Sequence, residues 1–454
     1  MPRKKGEVMW PRLVASKVLK RLGSTNFVAD FPSDSEYLLE IPHFDKKSFS
    51  SNDIIFNDHQ DTQNYRVFVN TWNVGGVVPS DDFNVDDLLG TNHTSCDIYV
   101  FGFQEVVPLR AANVLGSESG RISSKWNSLI REALNKKTAK GVGNEDTKQK
   151  GKENTNSQLV QKNGNENDEN GQFPQEFSCI ISKQMVGILI SVWVRNDFRS
   201  FIRNPSVSCV GCGIMGCLGN KGAVSVRFQL HQTSLCFVCS HLASGGREGD
   251  EKIRNANVAE IFSRTAFPKG SSLELPRKIL DHDRVILLGD LNYRISLPES
   301  TTRLLVEKGD WNALLENDQL QMELMDGQVF EGWQEGKIKF APTYKYYPNS
   351  SDYYGRPEVK RGEKKRAPAW CDRIIWYGEG LKQQLYGRGE SRLSDHRPVK
   401  AIFSTQVRVS RKLKRLQSFF LSERFEQITS RLEMHSPKDD FPCNARLSLQ
   451  LKDI

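Results

Sequence analysis

RVILLGDLNYR, residues 284–294, places four consecutive apolar side chains, Val285 to Leu288, directly before a Gly-Asp step. A run this short and this apolar, closed by turn-forming and acidic residues, reads as a strand buried on both faces whose end delivers polar groups to a site. The same texture recurs at YRVFVNTW (65–72), DIYVFGFQEV (97–106), FSCIISKQMVGILISVWV (177–194), AVSVRFQL (223–230), LCFVCSHL (235–242) and PVKAIFS (398–404). Helical patterns lie between some of them, at RISSKWNSLIREAL (121–134) and EGDEKIRNANVAEIFSRTAF (248–267). Many strands, several joined by short connections and flanked by helices, predict a two-sheet α/β sandwich.

The 454 residues are 38% hydrophobic and 26% charged, enough for one large core, and the net charge of +8 leans towards anionic ligands without demanding nucleic acid. No apolar run approaches the roughly 20 residues of a spanning helix, and MPRKKGEVMW lacks the apolar core of a signal peptide. Nine scattered cysteines fit reduced thiols better than a disulfide framework. A cytoplasmic protein is expected, with peripheral membrane contact and a nuclear fraction left open.

Three regions follow from texture. Residues 1–60 form a basic and polar extension in which Trp10, Leu13, Val14 and Leu22 share a helix face ringed by Arg12, Lys17, Lys20 and Arg21. Such a face suits a membrane surface or ordinary docking. Residues 61–405 hold the strands, interrupted at about 137–174 by a polar tract too poor in apolar side chains to offset ordering, hence a disordered surface insertion. Residues 406–454 form a basic extension containing RKLKRLQSFFLSERFEQITSRL, which would lie on an anionic membrane or pack on the domain.

A second stretch, RAPAWCDRII (366–375), offers either a thiolate at Cys371 or a carboxylate at Asp372. Cysteine-dependent phosphatases need an arginine six positions after the thiolate, and here that position is Tyr377. Cys371 is therefore expected to be a small buried apolar residue. Zinc at Cys209/Cys212 and Cys236/Cys239 is disfavoured because residues three apart on a strand face opposite ways. GCLGNKGAV (216–224) misses the Gly-Lys-Ser/Thr order of a nucleotide loop, since Asn220 intervenes and Gly222 follows the lysine.

What remains is a set of polar residues, each expected to terminate a strand-like run: Asn73, Glu105, His241, Asp290 with Asn292, Asp372, and Asp395 with His396. Strand ends converge on one edge of a sheet, so these predict a single pocket of oxygen ligands with two histidines. Clustered carboxylates repel unless a hard cation such as Mg²⁺ joins them. The chemistry such a pocket supports is metal-assisted phosphoester hydrolysis.

On ILLGDLNYR (286–294) and RAPAWCDRII, the chain resembles the inositol polyphosphate 5-phosphatases, specifically the plant type I enzymes, within the Mg²⁺-dependent phosphoesterases related to DNase I. The likeness runs from about Tyr65 to Ser404, and departs from the usual pattern at Leu287, where the family commonly has tryptophan. It implies a four-layer α/β sandwich of two mixed sheets flanked by helices. It also implies that Glu105 is the principal Mg²⁺ ligand with Asn73 beside it, that Asp290 is the general base, and that Asn292 orients the phosphate. His241 and His396 would hold the scissile phosphate, Asp372 would orient His396, and Asp395 would sit near the metal.

Recognition of the neighbouring 4-phosphate would fall to Tyr344, Lys345, Lys364 and Arg366. The substrates implied are PtdIns(4,5)P2 and PtdIns(3,4,5)P3 among the lipids, and Ins(1,4,5)P3 and Ins(1,3,4,5)P4 among soluble inositol phosphates. The partners are therefore lipid head groups and soluble inositol phosphates, with no nucleic acid. A nuclease of the same superfamily and a non-catalytic phosphoinositide-binding module are the alternatives.

Overall fold

The computed structural model describes residues 27–30, 61–89, 95–110, 113, 120–136, 176–213, 216–269, 275–355 and 366–409. The amphipathic segment at 10–22, the insertion at 137–174, Lys364 and the tail from 410 lie outside the described residues. Met1–Ile55 and Thr62–Arg408 make one compact unit; of the second, Phe56–Asp61 with Val409–Ile454, only Asp61 and Val409 are described.

Twelve strands are described: β1 (Asp61–Asn73), β2 (Ile98–Gln104), β3 (Phe177–Met185), β4 (Ile188–Arg195), β5 (Ile202–Gly211), β6 (Gly222–Leu230), β7 (Thr233–His241), β8 (Arg284–Asp290), β9 (Gln334–Glu335), β10 (Asp372–Tyr377), β11 (Leu381–Arg388) and β12 (Val399–Val409). They form two six-stranded sheets, β11-β12-β1-β2-β4-β3 and β5-β6-β7-β8-β10-β9. Both are mixed: β1 runs parallel to β2 and β7 parallel to β8, whereas β4 on β2 and β10 on β8 are antiparallel.

Alternation along β8 explains the layering. Ile286 and Leu288 point between the sheets, into a core shared with Val67, Val69, Val224 and Phe237. Val285 and Leu287 point the other way, against Val258 and Ile261 of helix α2 (Asp250–Arg264). On the far side of the first sheet, Trp126 of helix α1 (Arg121–Asn135) stacks on Phe103 at 4.5 Å among Trp72, Phe101 and Trp193. The order is therefore helix, sheet, sheet, helix, as expected. Burying apolar side chains on both faces of a strand removes the period-2 signal and leaves the continuous runs seen in the sequence. Cys236 and Cys239 fall on opposite faces of β7, in different cores, so they do not converge on an ion.

Gly289 is required by close approach. Its φ is +155°, and a Cβ there would meet the Ser240 carbonyl oxygen at 1.9 Å. No helix among the described residues is long and apolar enough to cross a membrane.

Three features differ from expectation. FSCIISKQMVGILISVWV is two strands, folded back at Val186-Gly187 so that Met185 pairs with Ile188. Helices α3 (Glu299–Lys308), α4 (Trp311–Leu315) and α5 (Gln319–Asp326) were not anticipated, because each buries only one or two residues fully and shows little apolar periodicity. Asp372, Asp395 and His396 do not end strands: Asp372 begins β10, and the other two precede β12. An antiparallel strand enters at the edge where its neighbour leaves, so these residues still reach the same edge.

Candidate active site

Register brings the polar residues together. In the second sheet, β7 and β8 place His241 opposite Asp290, and β10 places Asp372 opposite Asp290 from the other side. In the first sheet, Asn73 ends β1 opposite Gln104, and Glu105 follows with φ of +54°. That left-handed turn, rare for a residue with a Cβ, is held by Gly76 N–H donating to the Glu105 carbonyl at 2.7 Å. The segment before β12 is tied in by Ser394 Oγ donating to the Asn73 carbonyl at 2.6 Å and Trp72 Nε1 donating to the His396 carbonyl at 3.1 Å.

Asp290 is the hub where the two sheets meet. Asn73 Nδ2 donates to its Oδ2 at 2.9 Å, and the Asn292 backbone N–H donates to its Oδ1 at 3.2 Å. His241 Nε2 lies 3.2 Å and His396 Nε2 4.0 Å from the same Oδ2. Burial pushes this carboxyl up, but contact with His241 and the positive charges of His396 and Lys221 outweigh it, holding Asp290 well below the usual carboxylate range. Asp290 is thus ionised at neutral pH.

His396 has the opposite balance. Burial opposes its charge, yet Asp372 first and Asp290 second overcome this and raise it to about 9. Its Nδ1 donates to Asp372 Oδ2 at 2.8 Å, an oxygen that also accepts from Thr343 Oγ1 at 2.7 Å. Its ring packs on Tyr344, centroids 4.6 Å apart. His241 is shifted down, by burial and then by the Lys221 ammonium in contact with its Nε2.

Two sets of groups are near enough to hold a cation. Asp290, Asp372 and His396 bring ligand atoms within 4.8 Å of one another, but Asp372 Oδ2 already accepts from both His396 Nδ1 and Thr343 Oγ1. Glu105 is the better fit. Its side chain is 27% exposed, its Oε1 meets Asn73 Nδ2 only at 3.5 Å and His241 at 3.8 Å, and carboxylate oxygens with Asp290 sharing the same two partners suit a hard divalent ion.

The remaining expected residues lie around this centre. Asn292, φ +59°, donates from Nδ2 to the Leu242 carbonyl at 3.1 Å and accepts at Oδ1 from Arg294 at 2.6 Å. Asp395 receives Lys345 Nζ at 3.0 Å, so the structure engages it with that lysine. Arg366 opposes the charge of Lys345, and both act on Tyr344, a convergence of cations suited to an anion. Arg373 is structural: fully buried, it pairs with Asp318 at 2.8 Å and Glu335 at 2.5 Å. Cys371 is buried and its thiol pushed far up, away from thiolate chemistry.

Sequence reasoning missed Lys221, Arg294 and Thr343. Arg294 stands inside the quoted ILLGDLNYR and stacks over Tyr344 at 4.5 Å, so it links Asn292 to Tyr344. Lys221 lies in GCLGNKGAV, which fails as a nucleotide loop; the signal for it is that Gly222, its neighbour, pairs with His241.

The chain matches the model of the Endonuclease/Exonuclease/phosphatase family 2 over residues 70–402. It is 63% identical over 423 residues to the Arabidopsis thaliana protein "Type IV inositol polyphosphate 5-phosphatase 9", covering 92% of this chain and 96% of that one. It is 45% identical over 432 residues to the "Type I inositol polyphosphate 5-phosphatase 8" of the same organism, covering 89% and 87%, so its relatives include both types. Its fold is similar to the crystal structure of the inositol polyphosphate 5-phosphatase domain of SpSynaptojanin, in complex with inositol (1,4)-bisphosphate and calcium ion, with a TM-score of 0.62, 28% identity, and coverage of 82% of this chain and 94% of that one. A Cimex nitrophorin, 17% identical over 76% of this chain and 99% of its own with a TM-score of 0.52, shares the fold alone.

Proposed function

This chain belongs to the inositol polyphosphate 5-phosphatases, within the endonuclease/exonuclease/phosphatase family 2, and from that premise we propose the substrates, the metal and the residue roles. The enzyme is a phosphoric monoester hydrolase. Its substrates are the 5-phosphates of PtdIns(4,5)P2 and PtdIns(3,4,5)P3 and of soluble Ins(1,4,5)P3 and Ins(1,3,4,5)P4, and its cation is Mg²⁺. The lipids are met at a membrane surface, so the chain works in the cytoplasm, peripherally on that surface.

One observation carries the substrate reading. His396 faces the hydrolytic centre with Nε2, 4.0 Å from Asp290, while its ring lies on Tyr344 of the recognition segment. A phosphate held at His396 therefore has its ring neighbour at Tyr344, Lys345 and Arg366, as a vicinal 4,5-bisphosphate requires. Glu105 with Asn73 would hold the Mg²⁺, which when bound would supply Lewis-acid polarisation of a phosphoryl oxygen.

The chain's own residues do the rest. Asp290, held ionised, orients the attacking water and takes its proton as the water oxygen bonds to phosphorus and the bond from phosphorus to the inositol 5-oxygen breaks, that oxygen taking a proton from solvent as it leaves. His396, protonated through its Asp372 pair, donates to the phosphoryl oxygens. Asn292, its carboxamide fixed by Leu242 and Arg294, keeps one N–H for the phosphate. The two sheets hold these groups without rearrangement, which is where the rate advantage of fixed donors arises.

The test is phosphate release from soluble inositol trisphosphate and from PtdIns(4,5)P2 vesicles, in Mg²⁺ and in EDTA, beside nicking of plasmid DNA. Release from a 4,5-bisphosphate, abolished by EDTA and restored by Mg²⁺, is expected. Nicking without such release, or full release in EDTA, defeats the proposal.

A further inference from the structure

We infer that Lys221 is a positioning residue for this hydrolysis: its ammonium selects the hydrogen-bond partner of His241 Nε2 and, through His241, the donors around Asp290. The inference rests on the phosphatase reading above.

The backbone that carries Lys221 is pinned. Gly222, the next residue, pairs with His241 across β6 and β7, so the lysine enters directly beside the histidine. Cys212 N–H donates to the Lys221 carbonyl at 2.8 Å and Gly213 N–H to the Leu218 carbonyl at 2.9 Å, closing the turn. Arg264 of α2 donates to the carbonyls of Gly211 and Gly216, each at 2.9 Å, and clamps that turn to the helix.

From this anchor the Lys221 Nζ contacts His241 Nε2. The same nitrogen lies 3.2 Å from Asp290 Oδ2 and 3.8 Å from Glu105 Oε1. An ammonium is donor-only, a carboxylate acceptor-only, and one imidazole nitrogen either donates or accepts. Nε2 therefore serves one of the two, and the choice decides whether His241 donates to Asp290 or leaves that oxygen to Asn73 and the water.

Catalytic histidines ordinarily have the tautomer set by a group on the opposite ring nitrogen. Here His241 Nδ1 is buried and has no hydrogen-bond partner among the described residues. Fixing the tautomer falls to what meets Nε2, and Lys221 is the donor there. The lysine that fails to build a nucleotide loop thus takes another task.

The test uses the full-length chain with ¹⁵N-labelled histidine, comparing wild type with Lys221→Met and Lys221→Arg. Inositol trisphosphate turnover in Mg²⁺ is measured beside the His241 ring-nitrogen resonances of substrate-free protein. Lys221→Met is expected to lower kcat roughly 10–100-fold, leave KM within about twofold, and shift the His241 Nε2 resonance. Lys221→Arg, which keeps a donor, is expected to restore the resonance and most of kcat.

Three outcomes overturn the inference: kcat unchanged in Lys221→Met, KM raised with kcat kept, or kcat lost with the His241 resonance unmoved. Should Lys221→Met fail to fold, Lys221→Gln replaces it; an N–H donor without charge is expected to retain the wild-type resonance, and loss of that resonance in folded Lys221→Gln refutes the assignment. Wild-type protein inactive on every inositol phosphate sinks the phosphatase reading instead, and the resonance comparison still reports the Lys221 contact.

Discussion

At the scale of single residues, the site works by setting neighbouring groups in opposite protonation states. His396 is protonated because Asp372 first and Asp290 second offset the burial that opposes its charge, and Asp290 is ionised because His241, His396 and Lys221 offset its own burial. The sign of the pH dependence follows. His396 is raised in the folded state from an ordinary 6.5 to about 9, so its pairing stabilises the protein fully below about 6.5 and is lost as pH rises through about 9. Histidine NMR of the wild type should give a His396 midpoint near 9. Asp372→Asn removes the charge but keeps the shape, so the His396 midpoint should fall below about 7 and kcat by roughly 10–100-fold. An unmoved midpoint in Asp372→Asn would show that Asp372 does not hold the proton on His396. The two histidines and the acids were legible in the sequence because each sits beside an apolar run. Lys221 and Thr343 were not, since a lysine in a Gly-rich loop and a threonine after proline carry no local sign of what they will face.

At the scale of elements, the site depends on register, because a slip of one residue in β8 would turn Asp290 into a core. Parallel β7 and antiparallel β10 flank β8 and fix Asp290 between His241 and Asp372. Gly289 permits this by letting β8 approach Ser240 without a side chain. Gly289→Ala is therefore expected to destabilise by about 1–3 kcal/mol through overpacking, and to reduce turnover even where the protein folds, because the displaced residue adjoins Asp290. Chemical denaturation beside steady-state kinetics reads both quantities; full stability with full activity would contradict the close approach. Most strands could be read from their apolar runs. Direction could not, which is why Asp372, Asp395 and His396 were expected at strand ends although they stand at strand starts: the local pattern is the same for either chain direction. Helices α3 to α5 bury too little to show periodicity, and the readable marks of α4 and α5 are caps, Asp310 accepting from Ala313 N–H at 3.2 Å and Asp318 from Gln321 N–H at 3.0 Å.

At the scale of the whole molecule, the sandwich was legible because its strands look alike on both sides of the polar tract at 137–174, which we read as an insertion into one domain. The structure explains how the domain tolerates it. Asn135, at the end of α1, accepts at Oδ1 from the backbone N–H groups of Glu176 at 2.7 Å and Phe177 at 3.0 Å, and donates from Nδ2 to the Phe177 carbonyl at 3.3 Å. The two points where the chain leaves and re-enters the described structure are thus stapled side by side, and β3 begins at the same place. Closing a loop costs free energy that grows only as the logarithm of its length, so shortening this one several-fold should change stability by about 1–2 kcal/mol, in the favourable direction. Replacing residues 138–174 with a short Gly/Ser linker should leave kcat on inositol trisphosphate within about twofold and keep or raise the unfolding midpoint. The proposed catalytic residues all come from segments outside the tract, and Asn135 holds its staple with either connection. Substituting Asn135→Ala in the shortened chain should then cost more than in the full one, because a short linker leaves less slack for the ends to separate. If excision alone abolishes folding or turnover, the tract is part of the domain's structure, and the division of the chain argued here is wrong.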